Sequence, residues 1–215
     1  MRTVNDSRKH RAAVLRGALA AAGALLAACA GPGAAPEAGN TTVYFLRHAE
    51  TNLKHPERPL YPEGHARAER WVKYFASVPV TYVYATHTDR TRDTVAPLAK
   101  ARGMAVKLFP PIGSELDGKI VVNRTPEPAA IKPMVAALRA LPPGSTAVVA
   151  GNSINVFPIM AGIGVKADPS CTAERNDCLP CVTRECFDTN RFDEVWKVVI
   201  GRDGKTTLSR ASSGN

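Results

Sequence analysis

Thr42-Val43-Tyr44-Phe45-Leu46-Arg47-His48-Ala49-Glu50-Thr51 decides the fold. An apolar run of β-branched and aromatic residues stops abruptly at an adjacent Arg and His. A continuous apolar run has no wet face, so it reads as a strand buried on both sides, within a sheet covered by helices. Such sheets bind ligands beyond the carboxyl ends of their strands, and this strand ends on two side chains able to do chemistry. A neutral imidazole is a good nucleophile toward phosphorus, and the neighbouring guanidinium can grip phosphate oxygens with a planar fork of donors.

Outward from that strand, apolar and helical patterns alternate. Glu63 to Ala76 is predicted helical, with Pro62 suited to its first turn and Ala68, Trp71, Val72 and Phe75 on one stripe. Val80 to Ala85 reads as a strand, Thr88 to Arg102 as a helix ended by Gly103, and Ala105 to Phe109 as a strand followed by a Pro/Gly-containing loop. Thr125 to Leu141 is predicted helical, Thr146 to Ala150 a strand, and Asn155 to Gly162 a helix. Val195 to Ile200 and Thr206 to Ser209 form a terminal strand pair around Asp203-Gly204. The alternation predicts an α/β fold, a three-layer α/β/α sandwich on a mostly parallel sheet. Its active edge gathers the loops after Leu46, Ala85, Phe109 and Ala150.

Two further stretches fall at that edge. Ala85-Thr86-His87-Thr88-Asp89-Arg90-Thr91-Arg92-Asp93-Thr94 puts Arg90 where a helix begins, so guanidinium, backbone N–H groups and helix dipole converge into an anion site. Arg92 reads as an ordinary surface charge. Ala147-Val148-Val149-Ala150-Gly151-Asn152-Ser153 ends a strand on Gly-Asn. Taken together, these three boxes resemble the histidine phosphatase superfamily, the phosphoglycerate mutase and acid phosphatase group, over Thr41 to Gly164 and again from Phe192 to Ile200.

The resemblance implies a phosphoglycerate mutase-like fold and a phosphate monoester hydrolase. His48 would be its nucleophile, and Arg47 and Arg90 its phosphate ligands. It also exposes a departure: Asn152 stands where the family carries a second His. The five histidines are His10, His48, His55, His65 and His87, so none follows to replace it. An Asn donates hydrogen bonds without charge, and the loss of a charged donor commonly costs about a hundred- to a thousandfold in rate. His87, in an edge loop, is a candidate substitute. The leaving group needs an acid, for which Glu115 is first choice, with Asp117 and Glu50 as alternatives; Glu50 is better suited to orienting its loop.

The expected function is hydrolysis of a phosphorylated small molecule through a phosphohistidine, without metal or cofactor, since arginines supply the charge compensation. The alternative is a phosphate-ligand binding protein weakened in turnover by Asn152. Mutase chemistry is a third reading, opposed by export, because mutases draw on a cytosolic phosphodonor pool.

Export is read from the first residues. Arg2, Arg8, Lys9, Arg11 and Arg16 precede an Ala/Leu-rich run from Gly17 to Ala28, of signal-peptide length and too short to span a bilayer. Leu26-Ala27-Ala28-Cys29 resembles a bacterial lipobox, so residues 1–28 are expected to be removed and Cys29 acylated. The alternative is an ordinary secretory signal cut near Ala28 or Ala30. Residues 29–40 would then tether the 41–215 domain to the membrane. Ala30 following the Cys leans toward the outer membrane, facing the periplasm.

Without residues 1–28 the chain has 23 basic and 18 acidic residues, a net charge of +5 rather than +9. No Lys/Arg run suggests a nucleic-acid partner. Within an insertion at 167–187, Cys171, Cys178, Cys181 and Cys186 are expected to form two disulfides in an oxidising compartment, although their spacing also allows a tetrahedral zinc site.

Overall fold

The computed structural model describes residues 39–52, 54–110, 114–116, 119–121, 128–166 and 191–214. The opening run forms β1 (Thr41–Arg47). It is followed by α1 (Pro62–Tyr74), β2 (Tyr82–Ala85), α2 (Asp89–Ala101) and β3 (Val106–Leu108). Next come β4 (Ser114–Leu116), β5 (Lys119–Val121), α3 (Pro128–Arg139), β6 (Thr146–Gly151) and α4 (Ser153–Gly162). The strands β7 (Glu194–Ile200) and β8 (Thr206–Ser212) close the order.

Six strands make one sheet in the order β3-β2-β6-β1-β7-β8. The first four are mutually parallel, and β7 runs antiparallel to both β1 and β8. The mixed α/β architecture and the mostly parallel sheet are therefore as expected. β6 lies between β1 and β2, so the carboxyl ends of three strands from distant parts of the sequence stand side by side. Register fixes them: Arg47 pairs with Gly151, and Ala85 with Ala150.

Successive residues of a strand point to opposite faces, and β1 shows why its sequence is apolar throughout. Val43 and Phe45 pack with Met134, Leu138, Phe157, Ile159 and Met160 of α3 and α4. Tyr44 and Leu46 pack with Trp71, Phe75, Val95 and Leu98, which α1, α2 and the residue after α1 supply. The predicted stripe of α1 is the buried one: Ala68, Trp71 and Phe75 have no exposed surface.

Differences from the sequence reading are local. The stretch after β3, expected to be a loop, contains a small antiparallel pair, β4 with β5, in which Glu115 pairs with Ile120. β2 starts at Tyr82 rather than Val80, but Thr81 extends the ladder by donating its N–H to the Thr146 carbonyl (2.8 Å) and accepting the Thr146 N–H on its hydroxyl (3.0 Å). α4 begins at Ser153, two residues early, because Asn152 takes the N-cap. Residues 1–38, Asp117 and 167–190 lie outside the described residues, and with them Cys29, Cys171, Cys178, Cys181 and Cys186. The side chain of Glu115 does so too.

Candidate functional site

β1 delivers His48 to the edge, and the neighbouring strands hold it there. The His48 N–H donates to the Gly151 carbonyl at 2.9 Å, extending the β1–β6 ladder by one residue. The next N–H, of Ala49, donates to the Thr94 hydroxyl at 2.8 Å, and that hydroxyl donates to the Arg90 carbonyl at 2.7 Å. Thr94 is fully buried. One side chain thus ties the loop after β1 to the first turn of α2.

The protonation of His48 follows from its contacts. Nδ1 lies 2.7 Å from the Ala49 carbonyl oxygen, which can only accept, so Nδ1 carries the proton. The lone pair of the neutral ring is then on Nε2. Burial is the main cause that pushes the imidazole from its ordinary value of 6.5 down to about 3. The Ala49 contact opposes this, and the charges of Arg47, Arg90 and Arg58 add to it. A buried neutral imidazole under the charge of three guanidinium groups is held as a nucleophile at neutral and mildly acidic pH.

That depression has a consequence for stability. Above 6.5 the ring is neutral folded or unfolded; between 6.5 and about 3 only the unfolded chain takes up the proton. Stability associated with His48 is therefore intact above 6.5 and is lost as pH falls toward 3. We expect a His48→Gln variant to lose less stability than wild type over that window in urea denaturation. Parallel stability curves for the two proteins would contradict the assignment.

Arg90 stands in the first turn of α2, half-buried. Burial and then Arg58 lower its pKa, yet a guanidinium remains cationic. Its Nε donates to the Asn152 side-chain oxygen at 2.9 Å. Asn152 is itself buried at the N-cap of α4, where its backbone N–H donates to the Asn155 side-chain oxygen at 2.8 Å. With its oxygen turned to Arg90, the Asn152 amide has N–H donors without a partner among the described residues. Gly151 is required beside it, because a Cβ there would come within 2.6 Å of both Asn155 Oδ1 and Val156 Cγ2. The structure thus brings Arg47, His48, Arg90 and Asn152 to one edge.

Glu50 is committed elsewhere. Arg67 grips its carboxylate with Nε and Nη2, at 2.9 and 2.7 Å to one oxygen and 3.1 Å to the other. An ion pair holding the loop after β1 against α1 suits the loop-orienting role better than that of the acid. Gly64 permits the arrangement, since a Cβ there would sit 2.3 Å from the Glu50 carbonyl oxygen. Arg92 is a surface charge paired with Asp89 and Asp93. His87 is half-buried in the turn before α2, with its Nδ1 buried and without a partner among the described residues. Its pKa is lowered by burial and then by Arg90, so it too stands at this edge.

Three contributors escaped the sequence reading. Phe192, just before β7, lies under the Arg47 guanidinium at 4.3 Å and beside the His48 ring at 6.0 Å between centroids. Arg58 occupies the left-handed region, φ 50°, in the loop after Asn52, and its charge bears on both His48 and Arg90. Arg67 has no signal of its own in the sequence. A cavity of about 520 Å³ lined by Lys166, Lys205 and Thr206 lies at the opposite edge, by the β7–β8 turn, away from this chemistry.

Comparison with known proteins bears on the fold and on residues 43–116. A family model, histidine phosphatase superfamily (branch 1), matches residues 43–116. No curated protein matches the chain by sequence. Among solved structures, a mycobacterial glucosyl-3-phosphoglycerate phosphatase superposes with TM-score 0.55 at 12% identity, covering 81% of this chain and 99% of its own. The protein histidine phosphatase SixA, complexed with tungstate, gives 0.53 at 14% over 80% and 97%. An Entamoeba histolytica phosphoserine phosphatase mutant, in complex with phosphoserine, gives 0.51 at 13% over 80% and 98%. At these identities the structures establish a shared fold.

Proposed function

We infer, from a match of residues 43–116 to the histidine phosphatase superfamily model and a fold shared with solved phosphatases, that this protein hydrolyses phosphate monoesters through a phosphohistidine on His48. The observation that carries the reading is the state of His48: neutral, with its Nε2 lone pair unprotonated, among three guanidinium charges. Nε2 attacks phosphorus, the P–O bond to the leaving group breaks, and a carboxylic acid, for which Glu115 is proposed, protonates the departing oxygen. Water then attacks the phosphohistidine, the P–N bond breaks, and the same carboxylate takes a proton from the water. Arg47, Arg90 and the Asn152 amide hold the phosphoryl oxygens as charge shifts onto them. Two guanidinium groups supply the charge compensation that other phosphoryl-transfer sites take from metal ions.

A binding-protein reading has one observation in its favour: the third box contributes a neutral donor, bonded to Arg90, rather than a cation. Assay of p-nitrophenyl phosphate and a panel of sugar, amino-acid and nucleoside phosphates decides between the two. We expect slow wild-type turnover and an Asn152→His rate up to about a hundredfold higher. That gain is an upper bound, because the substitution also removes the acceptor of Arg90 Nε. Tight phosphate binding with no turnover in either protein would establish the binding-protein reading instead.

We further propose that Cys29 is acylated and anchors the domain to the bacterial envelope, a reading that rests on Leu26-Ala27-Ala28-Cys29. Mass spectrometry of membrane-fraction protein should find an acylated N-terminal Cys29. A soluble product unaffected by Cys29→Ser would contradict it.

A further inference from the structure

We propose that Phe192 is a positioning residue of this site, whose ring fixes the plane of the Arg47 guanidinium and closes one side of His48 to water. The proposal rests on the phosphoryl-transfer reading above for its catalytic meaning, but its physical content does not depend on turnover. Phe192 reaches the edge through strand register. β7 runs antiparallel to β1 with Leu46 opposite Val195, so the residues before β7 pass alongside Arg47 and His48.

That segment is firmly held. Glu194, buried, is paired with Arg210 and with Arg191 at 3.0 Å. Asp193 accepts the Ser212 hydroxyl on its carboxylate, and its carbonyl accepts the Ser213 N–H at 2.9 Å. Phe192 is thus carried between residues that are tied to β8 and to each other.

What the ring touches gives it two effects. The Arg47 guanidinium carbon lies 4.3 Å from the ring centroid, a cation–π distance. A guanidinium lying on an aromatic face keeps its N–H donors in its own plane, where they can meet phosphate oxygens bidentately. Fixing that plane before substrate arrives lowers the ordering cost of binding and reaction. The second effect falls on His48, whose ring centroid is 6.0 Å away and which is only 7% exposed. Burial is the leading influence on its protonation, and Phe192 supplies part of that wall.

Among the described residues, the charged and titratable groups around His48 come from several elements. Arg47 lies on β1, Arg58 on the loop after Asn52, His87 on the turn before α2 and Arg90 on α2 itself. Asn152 of α4 is uncharged, and Asp193 and Glu194 are engaged with Arg191, Arg210 and Ser212. Changing Phe192 alters none of these charges but can release Arg47, so Phe192→Leu, which also loses the π face, separates a titration change caused by Arg47 movement from one caused by water access.

Three variants separate the two effects. In NMR titration of histidine-labelled protein, with the His48 signal identified by its loss in His48→Gln, Phe192→Ala should raise the His48 pKa by about one unit or more. Phe192→Leu keeps an apolar wall without a π face. Its His48 should titrate as in wild type while tungstate, a phosphate-like dianion, binds about five- to tenfold more weakly. Phe192→Tyr should match wild type in both measurements. Hydrolysis, where present, should fall about tenfold in kcat for Phe192→Leu.

Wild-type tungstate affinity in Phe192→Leu, or unchanged His48 titration in Phe192→Ala, would overturn the proposal. Absence of His48-dependent turnover in wild type would instead defeat the phosphatase reading, leaving the titration and tungstate results to decide the role of Phe192.

Discussion

Replacing His48 with alanine is expected to lower turnover by roughly four orders of magnitude or more, the scale seen when a covalent nucleophile is deleted. His48 is the histidine that a strand end places beside an Arg, and its Nε2 is the atom left unprotonated. The variant should still bind tungstate within a few-fold of wild type, because Arg47, Arg90 and Asn152 remain. That pairing of outcomes matters: lost turnover with retained anion binding locates the defect in chemistry and not in folding. Substantial residual activity in His48→Ala would point to a second nucleophile, with His87 first in line.

Arg90→Ala should produce the next largest loss, about a hundred- to a thousandfold in kcat/KM, as expected when a preorganised donor to the transferring phosphoryl group is removed. Arg90 does two things from one position: it presents a cation at the start of α2 and holds Asn152 through Nε. Arg90→Lys should therefore recover little. An ammonium restores charge but lacks the planar fork that serves both a phosphate oxygen and the Asn152 side chain. Full activity in Arg90→Lys would show that charge alone suffices, and that the Arg90–Asn152 contact is structural.

The readable parts of this molecule were those governed by local pattern. β1 announced itself because both faces are buried, which leaves an uninterrupted apolar run, and its end was marked by Arg47 and His48. The stripe of α1 and the place of Arg90 at the start of α2 were likewise visible, since each is set within a few turns of chain. Thr94 carried no reading of its own in the sequence. Its work in tying Ala49 N–H to the Arg90 carbonyl needs two elements 45 residues apart to meet.

What stayed hidden depends on non-local pairing. Nothing local says that β6 enters between β1 and β2, and it is this placement that sets Asn152 beside Arg90. Phe192 reaches Arg47 only because β7 returns antiparallel in a register with Leu46 opposite Val195. A single Phe ahead of a strand carries no periodic signal of such a contact. The Glu50–Arg67 fork was half visible: Glu50 suggested a loop-orienting role, but its partner on α1 emerges from packing. The β4–β5 pair was missed because three-residue strands between glycines and prolines leave too little alternation to distinguish them from loop.

Rapid acid-free quenching during turnover of a radiolabelled phosphate ester, followed by peptide mapping, tests the central claim most directly. Phosphate carried on nitrogen is labile to acid and stable to alkali, unlike a phosphoserine ester. Transient label with that lability is expected on the peptide containing His48, absent in His48→Ala and accumulating when the second step is slowed. Steady turnover with no label on that peptide, or label on the peptide containing His87, would contradict it.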